Sequence, residues 1–151
     1  LKIEIIFPGR IKNDFAKTGF DEYLKRLTKF LKVDVISLPA SHSEDPALCI
    51  AEESRKMLKY LGEREFILLD TDGIELNTQS FASFIKESMN KGADMFFVVG
   101  GVYGVSDDVK ESATSKLSLS KMTFTHSMAL LLLTEQLYRS MKIISGQSYD
   151  H

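Results

Sequence analysis

Cysteine is the scarcest reactive residue of this 151-residue chain: Cys49 stands alone, which excludes an internal disulfide. Histidine is hardly more abundant. His42, His126 and His151 are the only imidazoles, too few soft donors for a zinc site, so no metal is expected. No apolar run approaches the ~20 residues of a membrane-spanning helix, so no membrane partner is expected. The opening stretch Leu1-Lys2-Ile3-Glu4-Ile5-Ile6-Phe7-Pro8 places an acid inside a short apolar segment, unlike a secretory signal, and the expected location is cytoplasmic. Two nucleotide-binding fingerprints are missing as well. The first turn is Pro8-Gly9-Arg10 and the second strand ends in Ser37-Leu38-Pro39, which lacks the glycine-and-acid pattern of a dinucleotide binder. A Gly-Lys-Ser/Thr triplet, needed for a Walker A loop, occurs nowhere. Repeats and low-complexity tracts are also absent, and the length suits one domain over 1–151 with a core of its own.

What is present is a globular mixture, 44% hydrophobic and 26% charged, which rules out a disordered or fibrous chain. The formal charge of −2 argues against a uniformly basic coat for nucleic acid, but it averages two unlike regions. Residues 1–32 hold eight basic against four acidic side chains, and residues 33–75 hold four against ten. A polyanion would therefore be met by one face only.

The hydrophobic pattern alternates strand and helix. Lys2 to Phe7 reads as a buried strand stopped by Pro8-Gly9. Phe15, Phe20, Tyr23/Leu24, Leu27 and Phe30/Leu31 recur at helical spacing opposite Lys17, Asp21, Glu22, Lys25, Arg26 and Lys29. Val33 to Leu38 is a second strand; Asp45-Pro46 then caps a helix that runs to about Leu61 and stops at Gly62. Glu65 to Asp70 is an apolar strand, followed by a helix carrying Phe81, Phe84/Ile85 and Met89 inward. Asp94 to Val99 is almost continuously hydrophobic, as a strand covered on both faces must be. Ser106 caps a short helix, Leu117 to Phe124 is strand-like, and Ser127 to about Ile144 forms a long helix. This order predicts an α/β fold, a mostly parallel sheet sandwiched by helices, with ligands at the carboxyl ends of its strands.

Three of those ends carry chemistry: Leu69-Asp70-x-x-Gly73, Gly100-Gly101-x-Tyr103-Gly104, and Leu117 through His126. Glycine lets main-chain groups approach a ligand where a Cβ would obstruct. Asp70 and Asp72 have no metal partners and read as turn formers with Gly73. Glycine turns also occur in other α/β nucleotide binders, so the loop alone leaves the ligand open. Together with Gly19-Phe20-x-Glu22-Tyr23-Leu24-Lys25-Arg26 and Glu135-Gln136-Leu137-Tyr138-Arg139, these segments resemble the ribosomal large subunit pseudouridine methyltransferase H family, of the SPOUT class of knotted RNA methyltransferases. The resemblance spans essentially the whole chain.

The resemblance implies a SPOUT-type fold with a C-terminal trefoil knot, S-adenosyl-L-methionine as cofactor, a homodimer, and methylation of N3 of a pseudouridine in 23S rRNA of the large ribosomal subunit. Carried over by position, cofactor contacts fall on Leu69, Gly100, Leu119, Ser120, Lys121, Met122, Thr123 and Phe124, with Gly101 and Gly104 completing the turn. His126, Arg139, Tyr149 and His151 become the catalytic candidates. An adenine among loops needs apolar walls, which Leu69, Leu119, Met122 and Phe124 can supply. Methyl transfer from a sulfonium is an in-line displacement, so alignment and removal of the N3 proton are what the protein must provide. The chain departs from the family at Val102 and Thr125, where proline is usual, at Leu130 in place of an arginine, and at Asp150 in the tail. These departures leave a second class open, a ribosome-associated RNA-binding module with little turnover.

Overall fold

The computed structural model describes residues 2–147. Five strands and five helices alternate: β1 (Lys2–Pro8), α1 (Phe15–Leu27), β2 (Lys32–Leu38), α2 (Pro46–Leu61), β3 (Ile67–Glu75), α3 (Thr78–Asn90), β4 (Met95–Val98), α4 (Asp107–Ser112), β5 (Ser115–Ser118) and α5 (His126–Ile144). The sheet runs β2-β1-β4-β3-β5 and every pairing is parallel. Side chains of successive strand residues point to opposite faces, and the two cores divide accordingly. Ile3, Ile5, Phe7, Met95, Phe97 and Val99 pack under α1, α3 and α5, whereas Ile6, Leu68 and Val98 pack under α2 and α4. Burial on both faces explains why β1 and β4 read as hydrophobic runs without alternation.

The caps follow local chemistry. Asp45 accepts from Ala47 N at 3.1 Å with Pro46 in the first turn of α2, and Ser106 accepts from Val109 N at 3.3 Å to start α4. Several expectations from the sequence are corrected. The first helix stops at Leu27 instead of continuing through Phe30 and Leu31, because Thr28 turns its hydroxyl back onto Lys25 O at 2.6 Å. Phe15, expected in the apolar stripe, is 74% exposed, so the buried face begins at Ala16. The third strand passes Asp70 and resumes at Ile74, since Leu69 and Ile74 both lie opposite Leu117 and residues 70–73 loop out between them. The last strand is Ser115–Ser118 and not Leu117 to Phe124: Ser118 Oγ donates to Ser120 O at 2.9 Å and Ser120 Oγ accepts from Met122 N at 3.0 Å, which bends the chain into a loop.

Glu4 is a charged group inside the α2-side layer, only 3% exposed. Burial alone would raise its carboxyl pKa, but Tyr60 donates its hydroxyl at 2.5 Å and the Lys2 ammonium sits 3.0 Å away, and together they hold it below the ordinary carboxylate value. A carboxyl depressed in the folded state stabilises the fold above its unfolded pKa of ~4.3, and that contribution disappears as the pH falls through the folded value. Tyr60→Phe should therefore lower the unfolding free energy by about 1–3 kcal/mol at pH 7. Urea titrations should find that penalty shrinking below about pH 4.

Candidate functional site

Parallel strands deliver their carboxyl ends to one edge, and the pairing order fixes which loops become neighbours there. At β1 the edge holds Phe7 and Pro8. Beside it, Val99 N donates to Ile6 O at 2.9 Å, so β4 opens into Gly100 next to Pro8. Leu69, half-buried, follows on β3, and β5 leads through Ser118 into the loop 119–125. The structure thus brings Leu69, the glycine turn and the 119–124 loop to one edge, as the sequence suggested.

The glycine turn is closed by Gly104 N donating to Gly101 O at 3.1 Å, and Gly104 has φ +86°, a conformation that favours glycine. Val102 (89% exposed) and Tyr103 (46%) form its tip. A Cβ on Gly100 would stand 3.1 Å from Val105 Cγ1, and one on Gly101 would stand 2.6 Å from Glu53 Oε1. Gly73 is equally constrained: its Cβ would fall 2.6 Å from the Lys116 carbonyl carbon, so backbone crosses backbone where β3 resumes. Asp72 N donates to Asp70 Oδ1 at 3.0 Å, the turn-forming role assigned to that pair. An open cleft of about 420 Å³, lined by Thr71, Asp72, Gly73, Glu75 and Lys121, lies along this excursion. Of this lining the sequence singles out Lys121, Asp72 and Gly73, the last two as turn formers, and not Thr71 or Glu75.

Along the 119–124 loop, Leu119 and Ser120 are half-buried while Lys121, Met122, Thr123 and Phe124 are exposed, so Met122, 75% open, belongs to a loop surface and not to the core. His126 opens α5, one residue earlier than expected, because Thr125 caps the helix through its Oγ1 to Met128 N at 3.3 Å. Its ring meets Phe7 edge-on, 5.5 Å between centroids, and Nδ1 is buried without a hydrogen-bond partner. Arg139 is not brought to this edge. It lies about 20 Å farther along α5 at 1.5 Å rise per residue, held by Glu135 at 2.8 Å. Tyr149 and His151 lie outside the described residues. Leu130 is fully buried between α1, α3 and the sheet, a position where a cation would lose its water. Among the described residues no cluster of His, Cys, Asp and Glu fits a metal, and no helix is long and apolar enough to cross a membrane.

Comparison with known proteins gives the family and the fold. The family model described as predicted SPOUT methyltransferase matches residues 1–151, and the chain belongs to that family of methyltransferases. It is 44% identical over 151 residues to a protein of Thermodesulfovibrio yellowstonii named ribosomal RNA large subunit methyltransferase H, covering 99% of each chain. A protein of the same name from Dictyoglomus thermophilum is 39% identical over the full length of both. Among solved structures, a chain described as a probable methyltransferase from Bordetella pertussis superposes with a TM-score of 0.55 at 11% identity, covering 92% of this chain and 95% of that one, a likeness of fold.

Thr125→Ala should remove the cap of α5 and cost about 1 kcal/mol of stability, measured by urea denaturation.

Proposed function

We propose that the chain, as a single domain, transfers a methyl group from S-adenosyl-L-methionine to N3 of a pseudouridine in large-subunit (23S) ribosomal RNA, working in the cytoplasm as a homodimer. The observation that carries this reading is the meeting of Leu69, the Gly100–Gly104 turn and the 119–124 loop at one sheet edge. Full-length relatives named as ribosomal RNA large subunit methyltransferases support large-subunit RNA as the target, and the pseudouridine N3 is what the family resemblance implies. The same kinship supports the C-terminal trefoil knot.

The residues fit the cofactor on two structural grounds. The glycine turn stands at the carboxyl edge of the sheet with its tip at Val102 and Tyr103 exposed, and His126 Nδ1 is a buried polar atom with no hydrogen-bond partner. Bound there, S-adenosyl-L-methionine supplies an electrophilic methyl on a sulfonium. The chain's own tasks are then few. Turn amides and carbonyls meet the adenine edge, while Leu69, Leu119, Met122 and Phe124 wall its faces. His126, at the start of α5 on the same edge, takes the N3 proton. In the proposed homodimer, Arg139, which lies away from His126 along α5, would steady the developing anion or a phosphate from the other copy. Tyr149 and His151 complete this assignment from the tail.

Calorimetry with S-adenosylhomocysteine should give saturable binding to the wild type and none to Gly100→Arg; equal affinity in both would remove the cofactor assignment. Ribosomal RNA from a strain lacking the protein should carry an unmethylated pseudouridine by mass spectrometry. His126→Ala should lower kcat by roughly 10²–10⁴-fold. Full methylation by that variant would exclude the histidine as the base.

A further inference from the structure

Cys49, Glu53 and Met57 follow one another at helical spacing on the inner face of α2, and all three are buried. Two are apolar; the middle one is a carboxylate, 5% exposed. A carboxylate so placed is ordinarily matched by a cation, yet among the described residues no ion pair includes Glu53. Lys56 reaches instead to Pro39 O, at 3.3 Å. Besides Cys49 one turn earlier, Glu53 touches two loops at the functional edge. Its Oε2 accepts from Ser41 N at 3.0 Å, in the segment between β2 and α2. Its Oε1 occupies the space where Gly101 would carry a Cβ, 2.6 Å from that point, with Pro8 Cγ on the other side at 3.1 Å. The next residue, Ser54, accepts from Ser106 N at 2.9 Å, at the far end of the same turn. Adjacent residues of one helix therefore hold the entry and the exit of the glycine loop.

We propose that Glu53 is a positioning residue for methyl transfer: its carboxylate fills the space left by the missing side chain of Gly101 and so fixes how far the Gly100–Gly104 turn stands out toward the cofactor. Two features of the chain then account for each other. Glycine suits position 101 because a Cβ there would stand 2.6 Å from Glu53 Oε1, and Glu53 is held without a cation by Ser41 N on Oε2 and by the neighbouring Cys49 thiol. A planar two-oxygen group can lie flat against a Cα where a branched apolar side chain of similar volume cannot. The proposal rests on reading the turn as the cofactor loop.

The test measures S-adenosylhomocysteine affinity by calorimetry, and KM for the cofactor against kcat on ribosomal RNA. Glu53→Ala should raise Kd and KM roughly tenfold, since the turn can recede by a fraction of an ångström, while kcat at saturating cofactor changes by less than about twofold. Glu53→Gln keeps the planar shape and should bind at least about threefold more tightly than Glu53→Ala. Gly101→Ala drives a methyl into the carboxylate and should weaken binding; adding Glu53→Ala should restore most of the loss, because the methyl enters the vacated space. That rescue is the readout a general loss of stability cannot produce, and it remains available if Glu53→Ala alone fails to fold. Wild-type affinity in a folded Glu53→Ala, or additive losses in the double variant, would overturn the positioning role. Absence of binding by the wild type would overturn the cofactor reading itself.

Discussion

The parallel pairing of β1 with β4 in the middle of the sheet is the constraint on which the other segments depend. Ile3 to Ile6 lie opposite Met95 to Val98, and the ladder continues one step further through Val99 N to Ile6 O. Because these strands are covered on both faces, a slip of one residue would exchange the two cores, which fixes the register strongly. That register alone sets Pro8 beside Gly101 and leaves Phe7 at the correct height for His126. Helices from opposite faces then reach the same edge: α2 brings Glu53 behind the glycine turn, and α5 brings an imidazole over the end of β1.

The face bearing α1 and α5 has a different character from the face bearing α2. Tyr23 and Tyr138 lie 5.9 Å apart between α1 and α5, with the Arg26 guanidinium over both rings and also bound to Glu22. Gly19 gives these helices their close approach, since a Cβ there would stand 2.7 Å from Leu131 Cδ1. The basic excess of the first residues is only partly neutralised. Lys17 and Arg26 have carboxylate partners one turn away, whereas Arg10, Lys12, Lys25 and Lys29 are exposed and enter no ion pair among the described residues. Such cations contribute little to stability and are available to phosphate.

The alternation of strand and helix was legible because its signals are local: Asp45-Pro46, Gly62 and Ser106 punctuate elements wherever the chain goes afterwards. Period and length gave the buried strands around Ile5 and Phe97. The excursion of β3 was not legible, since its cause is the return of Ile74 to the same partner, Leu117, that Leu69 already uses, a pairing between distant segments. The extension of β5 failed for the opposite reason. Leu117 to Phe124 has strand-like residues, but serine hydroxyls at 118 and 120 compete for the backbone and win where no neighbouring strand is left to pair. At the site, the glycines and His126 could be picked out from the sequence, while Glu53 could not, because an acid on a helix looks solvated until the opposite wall is known. The family resemblance supplied what periodicity had no means to give, the nature of the ligand.

The solitary thiol has a use that follows from its surroundings. Cys49 is 6% exposed, and burial together with the neighbouring Glu53 carboxylate pushes its pKa up, so the reactive thiolate is scarce in the native state. Since no second sulfhydryl competes, alkylation of the intact chain is a clock for one local event, the opening of the first turn of α2 where Cys49 sits. Occupancy of the neighbouring glycine loop, wherever it steadies that helix, would slow the clock, giving a label-free-background assay for ligands that needs neither RNA nor turnover.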